Sequence, residues 1–398
     1  MITGELLELL YEAASIQRWN DHIRPKGFSE LDKQAHKMVF TYVLAKLEEN
    51  DHKAEVNWRN LIEGGIFEYL HRIVLTDIKP PIFHKLMAER GEQLNRWVVE
   101  KLTDKIAPVK GGFLPRFERY LFDPAYSPLE KKILRASHYL ATNWEFQIIY
   151  TLNGNLYGLE ATREQIENEI EEHYDLAGVQ KLTLGKKTRQ FVDLVGQLRF
   201  QQRWAQSPRV PETSVLGHML IVALFTYFCS MELGVCDRRL YNNFFGGLFH
   251  DLPEVLTRDI VSPVKRSVEG IEEIIKEIEV RQVEERIMPL LPASWQQEIR
   301  YFTEDEFKSK IIRDNKVLHV TTEEINLKYN EDRYSPLDGE ILEPCDKLAA
   351  FIETYLSVSH GITSRHLEEG RRALYEEYRE KVVSTIDFGE LFNYFHLD

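Results

Sequence analysis

The stretch that decides the fold runs from Phe244 to Lys265 and reads FFGGLFHDLPEVLTRDIVSPVK. At its centre, His250 and Asp251 stand side by side within a largely apolar run. Burying an ionised carboxylate is costly unless it has a partner, and a metal ion is one that a neighbouring imidazole can share. Because this pair offers only one nitrogen and one oxygen ligand, we expect the chain to supply another histidine and another carboxylate.

Two further residues meet this requirement. His218 lies in SVLGHMLIVALFTYF, an apolar run of helical length, and Asp346 lies in EILEPCDKLAAFIETYL, where apolar residues recur at helical spacing. A lone histidine in an apolar helix is more often a hydrogen-bonded core residue, and a His-Asp pair alone occurs by chance in many chains. The ordered set on successive helices favours a metal site with the ligands His218, His250, Asp251 and Asp346.

The order of these four residues resembles the HD superfamily of metal-dependent phosphohydrolases. The resemblance implies an all-α fold in which a helical bundle binds one divalent metal, or part of a two-metal site. Within that superfamily, HDLPEVLTRDIVSPVK is similar to a run of the bacterial 5′-deoxynucleotidases, which also have Arg-Trp before the first metal histidine, as Arg203 and Trp204 are here. Gly217 departs from that family, which usually has an acidic residue at this position. The identity of the divalent metal stays open among manganese, cobalt, magnesium, zinc, nickel and iron.

Several residue roles follow from this resemblance. It implies that Arg203 contacts the 5′-phosphate, a role that suits a bidentate guanidinium, and that Trp204 disfavours a 2′-hydroxyl. It also implies that Glu254 assists proton transfer and that Asp259 positions nucleotide or water. Lys265, the last residue of the matching run, is placed with the substrate-binding residues. Arg203 and Trp204 could instead be a packing pair at a helix end.

Helical geometry also bears on Glu254. If one helix ran from residue 244 through the His-Asp pair, Glu254 would lie one turn after His250 and face the metal side. Pro253 lacks a backbone donor and should kink this helix near Phe249.

The chain contains an internal repeat. Segments of similar pattern begin at Thr3 and Thr188, 185 residues apart, and both end in Gln-Arg-Trp. Further matches in the same order surround His36 and His218, Gly64 and Gly246, and Tyr126 and Tyr334. We therefore expect two tandem HD-type helical bundles, a degenerate domain at 1–184 and a phosphohydrolase domain at 185–398, packed about a pseudo-two-fold axis.

The first copy has lost most of the expected ligands. The residues that replace His250-Asp251, Asp346 and Glu254 are Glu68-Tyr69, His138 and Arg72, whereas His36 is paired with His218. We interpret this copy as a degenerate domain that is retained because its apolar face packs on the second. A metal held by His36, Glu68 and His138 is the alternative.

An insertion distinguishes the second copy. The spacing between matched segments grows from 182 residues at Gly64 to 208 at Tyr126, which places extra residues near 302–333. Within it, VLHVTTEEINLKY at 317–329 predicts a β-hairpin. This segment could be a flap over or beside the site, or a solvated excursion.

Composition limits the class of protein. The 398 residues suit two domains, and a net charge of -14 argues against binding a nucleic-acid polymer. The three cysteines form no CxxC pair, which fits a reducing cytoplasm. The longest apolar run, Met219 to Cys229, is too short to span a bilayer, so we expect no membrane association.

These observations predict a metal-dependent phosphatase or nucleotidase that removes the 5′-phosphate from (deoxy)nucleoside monophosphates. The partner is then a small phosphate ester, and a homo-oligomer is possible. The degenerate first copy leaves open a nucleotide-binding regulatory or scaffold protein with a structural metal. The insertion leaves open a phosphohydrolase with a different substrate.

Overall fold

The computed structural model describes residues 2–258 and 270–396. In these ranges the chain is mostly helical, and its two sheets are two-stranded. This confirms the predicted all-α fold class, with a small hairpin in the second half.

The first half is built from helices of one to seven turns. Its α-helices are α1 Gly4–Ser15, α2 Glu30–Leu47, α3 Trp58–Leu75, α4 Pro80–Ile106, α5 Phe113–Phe122, α6 Pro128–Asn153, α7 Leu159–Glu171 and α8 Ala177–Thr183. A π-helical turn, Glu48–His52, extends α2.

The second half is also mostly helical and contains four short strands. Its α-helices are α9 Lys187–Gly196, α10 Val215–Leu233, α11 Asp237–Phe249, α12 Glu254–Thr257, α13 Ile271–Gln282, α14 Ala293–Thr303, α15 Thr322–Glu324, α16 Gly339–Ser359, α17 Arg365–Tyr378 and α18 Phe388–Tyr394. The strands are β1 Lys310–Arg313, β2 Lys316–His319, β3 Val382–Val383 and β4 Ile386–Asp387. Single 3₁₀ or π turns lie at Gln197–Phe200, Val283–Ile287, Met288–Leu290, Ile325–Tyr329 and Asp332–Tyr334.

Helix α10 forms the centre of the core. It packs against α2, α11 and α16. Its length and apolar composition would allow it to cross a membrane, but 94% of its most apolar window is buried inside the protein. This helix is therefore part of the hydrophobic core.

The two halves start their central helices alike. Ser29 caps α2 and Ser214 caps α10, each accepting a hydrogen bond from the backbone N–H three residues later. Before each cap stands a tryptophan in the left-handed region, Trp19 and Trp204, both with φ of 55°. The two serines are 185 residues apart, and so are the two tryptophans.

This correspondence corrects one pairing made from the sequence. Four residues after its cap, α2 carries Lys33 where α10 carries His218. Lys33 therefore takes the position of the metal histidine, and the pairing of His36 with His218 is wrong. The sequence offset shifts because the connection after α2 is longer, and it includes the π-helical turn. His36 is instead a buried core residue whose Nε2 lies 3.0 Å from the Val192 carbonyl oxygen.

Polar contacts join the two halves across a shared core. Buried Arg199 donates to Glu145 at 2.8 Å, and the Tyr11 hydroxyl donates to the Ala349 carbonyl at 2.8 Å. The boundary expected at 184–185 falls between α8 and α9, and the division into two domains stays a prediction.

The hairpin lies earlier than the sequence predicted. β1 pairs antiparallel with β2, and Asp314 and Asn315 at the turn have φ of 52° and 57°, as a type I′ turn requires. Most of 320–329 is helical, because Thr321 and Glu324 form a capping box that starts α15.

Gly247 allows α10 and α11 to approach closely. A Cβ at this position would lie 2.8 Å from Ala223 Cα, so Gly247→Ala should destabilise the fold by about 1–3 kcal/mol through overpacking. In α4 a Cβ at Gly91 would meet only the flexible end of Met87, at 3.4 Å. Gly91→Ala is the matched control and should be neutral or stabilising. Urea unfolding compares them, and equal midpoints for both variants would refute the close approach.

Candidate metal centre

Three helices bring the four predicted ligands together. His218 lies in the first turn of α10, His250 caps the end of α11, Asp251 lies in the following turn, and Asp346 lies in α16. One ligand atom from each lies within 4.8 Å of the others. Among the described residues, these four form the group of histidine and acidic side chains that could hold a metal ion. The sequence prediction of these four neighbours is therefore met by the geometry.

The imidazoles and carboxylates of this cluster are in contact. His218 Nε2 lies 2.7 Å from Asp346 Oδ1, and His250 Nε2 lies 3.1 Å from Asp251 Oδ2. The cross distances are 3.8 Å from His218 Nε2 to Asp251 Oδ2 and 3.9 Å from His250 Nε2 to Asp346 Oδ1. Both histidine side chains are almost fully buried, whereas Asp251 keeps 21% of its side chain exposed. The cluster therefore opens to solvent on its carboxylate side.

A backbone contact orients His250 for metal binding. Its Nδ1 lies 2.8 Å from the Gly247 carbonyl oxygen, so Nδ1 carries the proton in the neutral ring. Its buried Nε2 faces the two carboxylates, 3.1 Å from Asp251 Oδ2 and 3.9 Å from Asp346 Oδ1. A lone pair fixed in this way, by a carbonyl behind the ring, is the usual arrangement of a metal-binding histidine.

Charge coupling shifts the pKa values of the cluster. Burial by itself disfavours the imidazolium of His250, but Asp251 and Asp346 together outweigh it and raise the pKa of His250 well above its ordinary value. Burial likewise opposes ionisation of Asp346, yet Lys347 and His218 lower the pKa of that carboxyl. The two carboxylates thus stay ionised, and they attract a cation.

These donors fit a divalent metal. Ligand atoms bound to one ion at about 2.0–2.2 Å are at most about 4.4 Å apart, so only a slight contraction of the cluster is needed. Two imidazole nitrogens and two carboxylate oxygens suit first-row transition metals better than calcium or magnesium, which prefer oxygen.

Glu254 is not on the helix that carries His250. α11 ends at Phe249, because Pro253 has no N–H to continue the helical hydrogen bonds, and Glu254 begins the short helix α12. The expected continuous helix is therefore wrong, although the predicted disturbance near Phe249 is present. Glu254 is buried, and its N–H donates to the Asp251 carbonyl oxygen at 3.0 Å. It is held within one turn of the cluster.

Arg203 and Trp204 are held in place by Glu353, a residue that the sequence reading missed. Glu353 Oε2 accepts from Arg203 Nε at 3.2 Å and from Trp204 Nε1 at 2.9 Å. Arg203 Nη1 is also 4.0 Å from Asp251 Oδ2, which places the guanidinium beside the cluster. Trp204 packs so closely on α17 that a Cβ at Gly370 would lie 2.8 Å from its indole ring.

Lys347 is a second cation at the cluster that the sequence reading missed. Its Nζ lies 2.7 Å from Asp346 Oδ2 and 5.2 Å from the centre of the Phe307 ring. Phe307 belongs to the predicted insertion, and its ring centre is 6.4 Å from that of His250. The insertion therefore lies beside the cluster through Phe307, and not through the hairpin.

Asp259 and Lys265, expected to bind substrate, lie outside the described residues.

Comparisons with known proteins agree with this site. Residues 195–375, a little under half of the chain, match the family model described as "HD domain". A similar curated protein is a dATP triphosphohydrolase of Acinetobacter phage SH-Ab 15497, with 40% identity over 55 residues. This match covers 14% of the present chain, which spans only 27% of that relative. No solved structure matches. Residues 195–375 are therefore similar to an HD domain, a domain of the superfamily that the four ligands resemble.

Metal binding should require all four side chains. Replacing any of His218, His250, Asp251 or Asp346 by Ala should lower the affinity for a divalent transition metal by more than about 100-fold. The exposed His319 on β2 is the matched control, and His319→Ala should bind as the wild type does. Because a bound imidazole must be neutral, affinity should fall at acid pH and binding should release protons. Isothermal titration calorimetry in two buffers measures both effects, and full metal binding by Asp346→Ala would contradict the ligand set.

Glu353 should stabilise the fold only while it is ionised. Burial opposes ionisation, but Arg203 and Arg209 lower the pKa of Glu353 to about 2, from 4.5. The contribution of Glu353 to the free energy of unfolding is therefore present above pH 4.5 and is lost as the pH falls towards 2. Glu353→Gln should lower the free energy of unfolding by about 3 kcal/mol at pH 7, because it removes the negative charge that offsets those of Arg203 and Arg209.

The control for this change is Glu369→Gln on exposed α17, which should have little effect. The difference between wild type and Glu353→Gln should shrink in denaturant titrations between pH 5 and pH 2. A difference that is constant over this range would show that the charge of Glu353 is not what stabilises the site.

Proposed function

We propose that this protein is a metal-dependent phosphohydrolase that acts on nucleoside 5′-phosphates. The observation that carries this proposal is the buried His218, His250, Asp251 and Asp346 cluster within an HD domain. Such a site suits hydrolysis of phosphate esters, because this reaction depends on positioning and on the neutralisation of charge.

The side chains around the cluster have different roles in this reaction. A bound divalent metal would supply Lewis-acid charge next to the phosphoryl group. Arg203, held by Glu353, binds the non-bridging oxygens of the phosphoryl group. Lys347, which pairs with Asp346, adds a second positive charge. Glu254 accepts or returns the proton that moves during hydrolysis, and Trp204 packs against the sugar. Asp259 and Lys265 remain candidates for holding the substrate.

The number of phosphates removed is the finer question. Release of a 5′-phosphate from a monophosphate and release of triphosphate from a nucleoside triphosphate break the same bond, between the 5′ oxygen and the first phosphorus. The similarity to the deoxynucleotidases favours a deoxynucleoside monophosphate. The relative named as a dATP triphosphohydrolase, together with the second cation Lys347, favours the triphosphate as a second candidate.

The repeated caps and the repeated tryptophan conformation support an origin by tandem duplication. We propose that the first half has lost the metal-dependent reaction and that the second half performs it. A regulatory or scaffold protein with a structural metal is the alternative, and it predicts metal binding without turnover.

The experiment is a product assay on the purified full chain. The protein is loaded with manganese, cobalt, nickel, iron, zinc or magnesium and given deoxynucleoside and ribonucleoside mono- and triphosphates. We expect nucleoside to appear together with phosphate or with triphosphate, and the accompanying product identifies the substrate. Asp251→Asn should abolish turnover, and Lys347→Met should slow it by about 10–1,000-fold.

His319→Ala, which alters an exposed histidine on β2, should retain the wild-type rate. Nucleotide binding without any product, with each metal bound, would refute hydrolysis and favour the regulatory alternative.

A further inference from the structure

The first half contains a charged cluster at the position that corresponds to the metal centre. Lys33 stands where His218 stands, and its Nζ lies 2.6 Å from His138 Nδ1. This contact repeats the one between His218 and Asp346, since His138 and Asp346 are 208 residues apart, like the matched segments around them. A lysine side chain therefore lies where the second half has an expected ligand for the metal.

This cluster does not fit a metal ion. Lys37, which is fully buried, pairs with Glu68, the residue that replaces His250. Burial lowers the pKa of His138, and the nearby Lys33 and Lys37 lower it further. The alternative that His36, Glu68 and His138 hold a metal is therefore not supported by the geometry.

The residues expected to hold substrate are nevertheless retained. Glu145 Oε2 accepts from Arg18 Nε at 2.9 Å and from Trp19 Nε1 at 2.9 Å. These are the same two contacts that Glu353 makes with its arginine and tryptophan in the second half. The first half has thus exchanged metal ligands for lysines while keeping the arginine, tryptophan and glutamate beside them.

Lys33 lacks enough partners for a buried ammonium group. Its side chain is fully buried, it forms no ion pair with a described residue, and its single hydrogen bond uses one of three donors. Burial therefore lowers the pKa of this amine well below its ordinary value, although Glu30 opposes the shift. Because Lys33 donates to Nδ1 of His138, the neutral ring carries its proton on Nε2 and presents another donor.

The group is also accessible from outside. Glu68 keeps 32% of its side chain exposed, and His138 is half-buried. The metal centre has the same plan, with a buried histidine and partly exposed carboxylates, so a small ion can reach both.

We propose that the first half binds the phosphate group of a small phosphate ester without a metal, with Lys33 and His138 as donors. Lys33 takes up a proton when the phosphate binds, and its ammonium then takes over the charge-neutralising task that an ion would have in the second half. A phosphate oxygen accepts from the unused N–H groups, and Arg18 and Trp19 lie beside the ester. This proposal does not require that the second half be a hydrolase.

The test is phosphate binding by the full chain in the presence of a strong chelator. Isothermal titration calorimetry is performed with inorganic phosphate and with a nucleoside 5′-monophosphate. Wild type should bind, and Lys33→Met should bind at least about tenfold more weakly, because a charge-assisted hydrogen bond is lost. Lys33→Arg, which keeps the cation, should restore most of the affinity.

Two controls locate the binding. Lys26→Met and Lys328→Met, which remove exposed lysines paired with Glu212 and Glu324, should leave metal-free phosphate binding unchanged. The proposal is overturned if wild type does not bind at millimolar phosphate, if Lys33→Met binds like wild type, or if Arg203→Met alone abolishes binding.

Folding of the variant is checked in the same buffers. Without phosphate, Lys33→Met should melt no lower than wild type, because it removes a buried amine that has a single hydrogen bond to the described residues. Should this variant not fold, a wild-type crystal soaked in phosphate and chelator decides. Phosphate within hydrogen-bond distance of Lys33 Nζ supports the proposal, and phosphate elsewhere or absent contradicts it.

Discussion

The structure depends on burying two carboxylates and two imidazoles at one point where three helices meet. Asp251 and Asp346 would repel each other in a dry core without compensating positive charge. In the metal-free protein this charge comes from the histidines, Lys347 and Arg203. An ion would replace part of it, which couples metal binding to the packing of α10, α11 and α16.

The turn after α11 makes this arrangement possible. Because Pro253 ends the regular helix, His250 and Asp251 lie at a helix end, where two adjacent side chains can point towards the same ion. Gly247 contributes twice to this, since its lack of a side chain lets α10 approach and its carbonyl oxygen orients His250. The backbone of α11 therefore supports both the core and the site.

Much of this could be predicted from residue order and type. The four ligands and the Arg-Trp pair were found because they have fixed chemistry and lie on strongly apolar helices. The pairing of His36 with His218 was wrong because it rested on matching residue types. The corresponding position is defined by the distance from the helix cap, which only the structure shows. Glu353, Lys347 and Phe307 were missed because their roles come from contacts over long sequence separations, although Glu353 lies two turns after Asp346 on one helix face. The hairpin was misplaced because the prediction relied on the alternation of β-branched residues at 317–329. Its position is set by the turn residues Asp314 and Asn315, which adopt positive φ.

The most direct measurement is a crystal structure of the metal-loaded protein, with anomalous scattering collected at the absorption edge of the bound metal. The central claim predicts an ion bound by His218 Nε2, His250 Nε2 and one oxygen from each of Asp251 and Asp346, at about 2.0–2.3 Å. It also predicts no such ion beside Lys33 in the first half. An ion that contacts fewer than three of these side chains, or that occupies the first half instead, would contradict the claim.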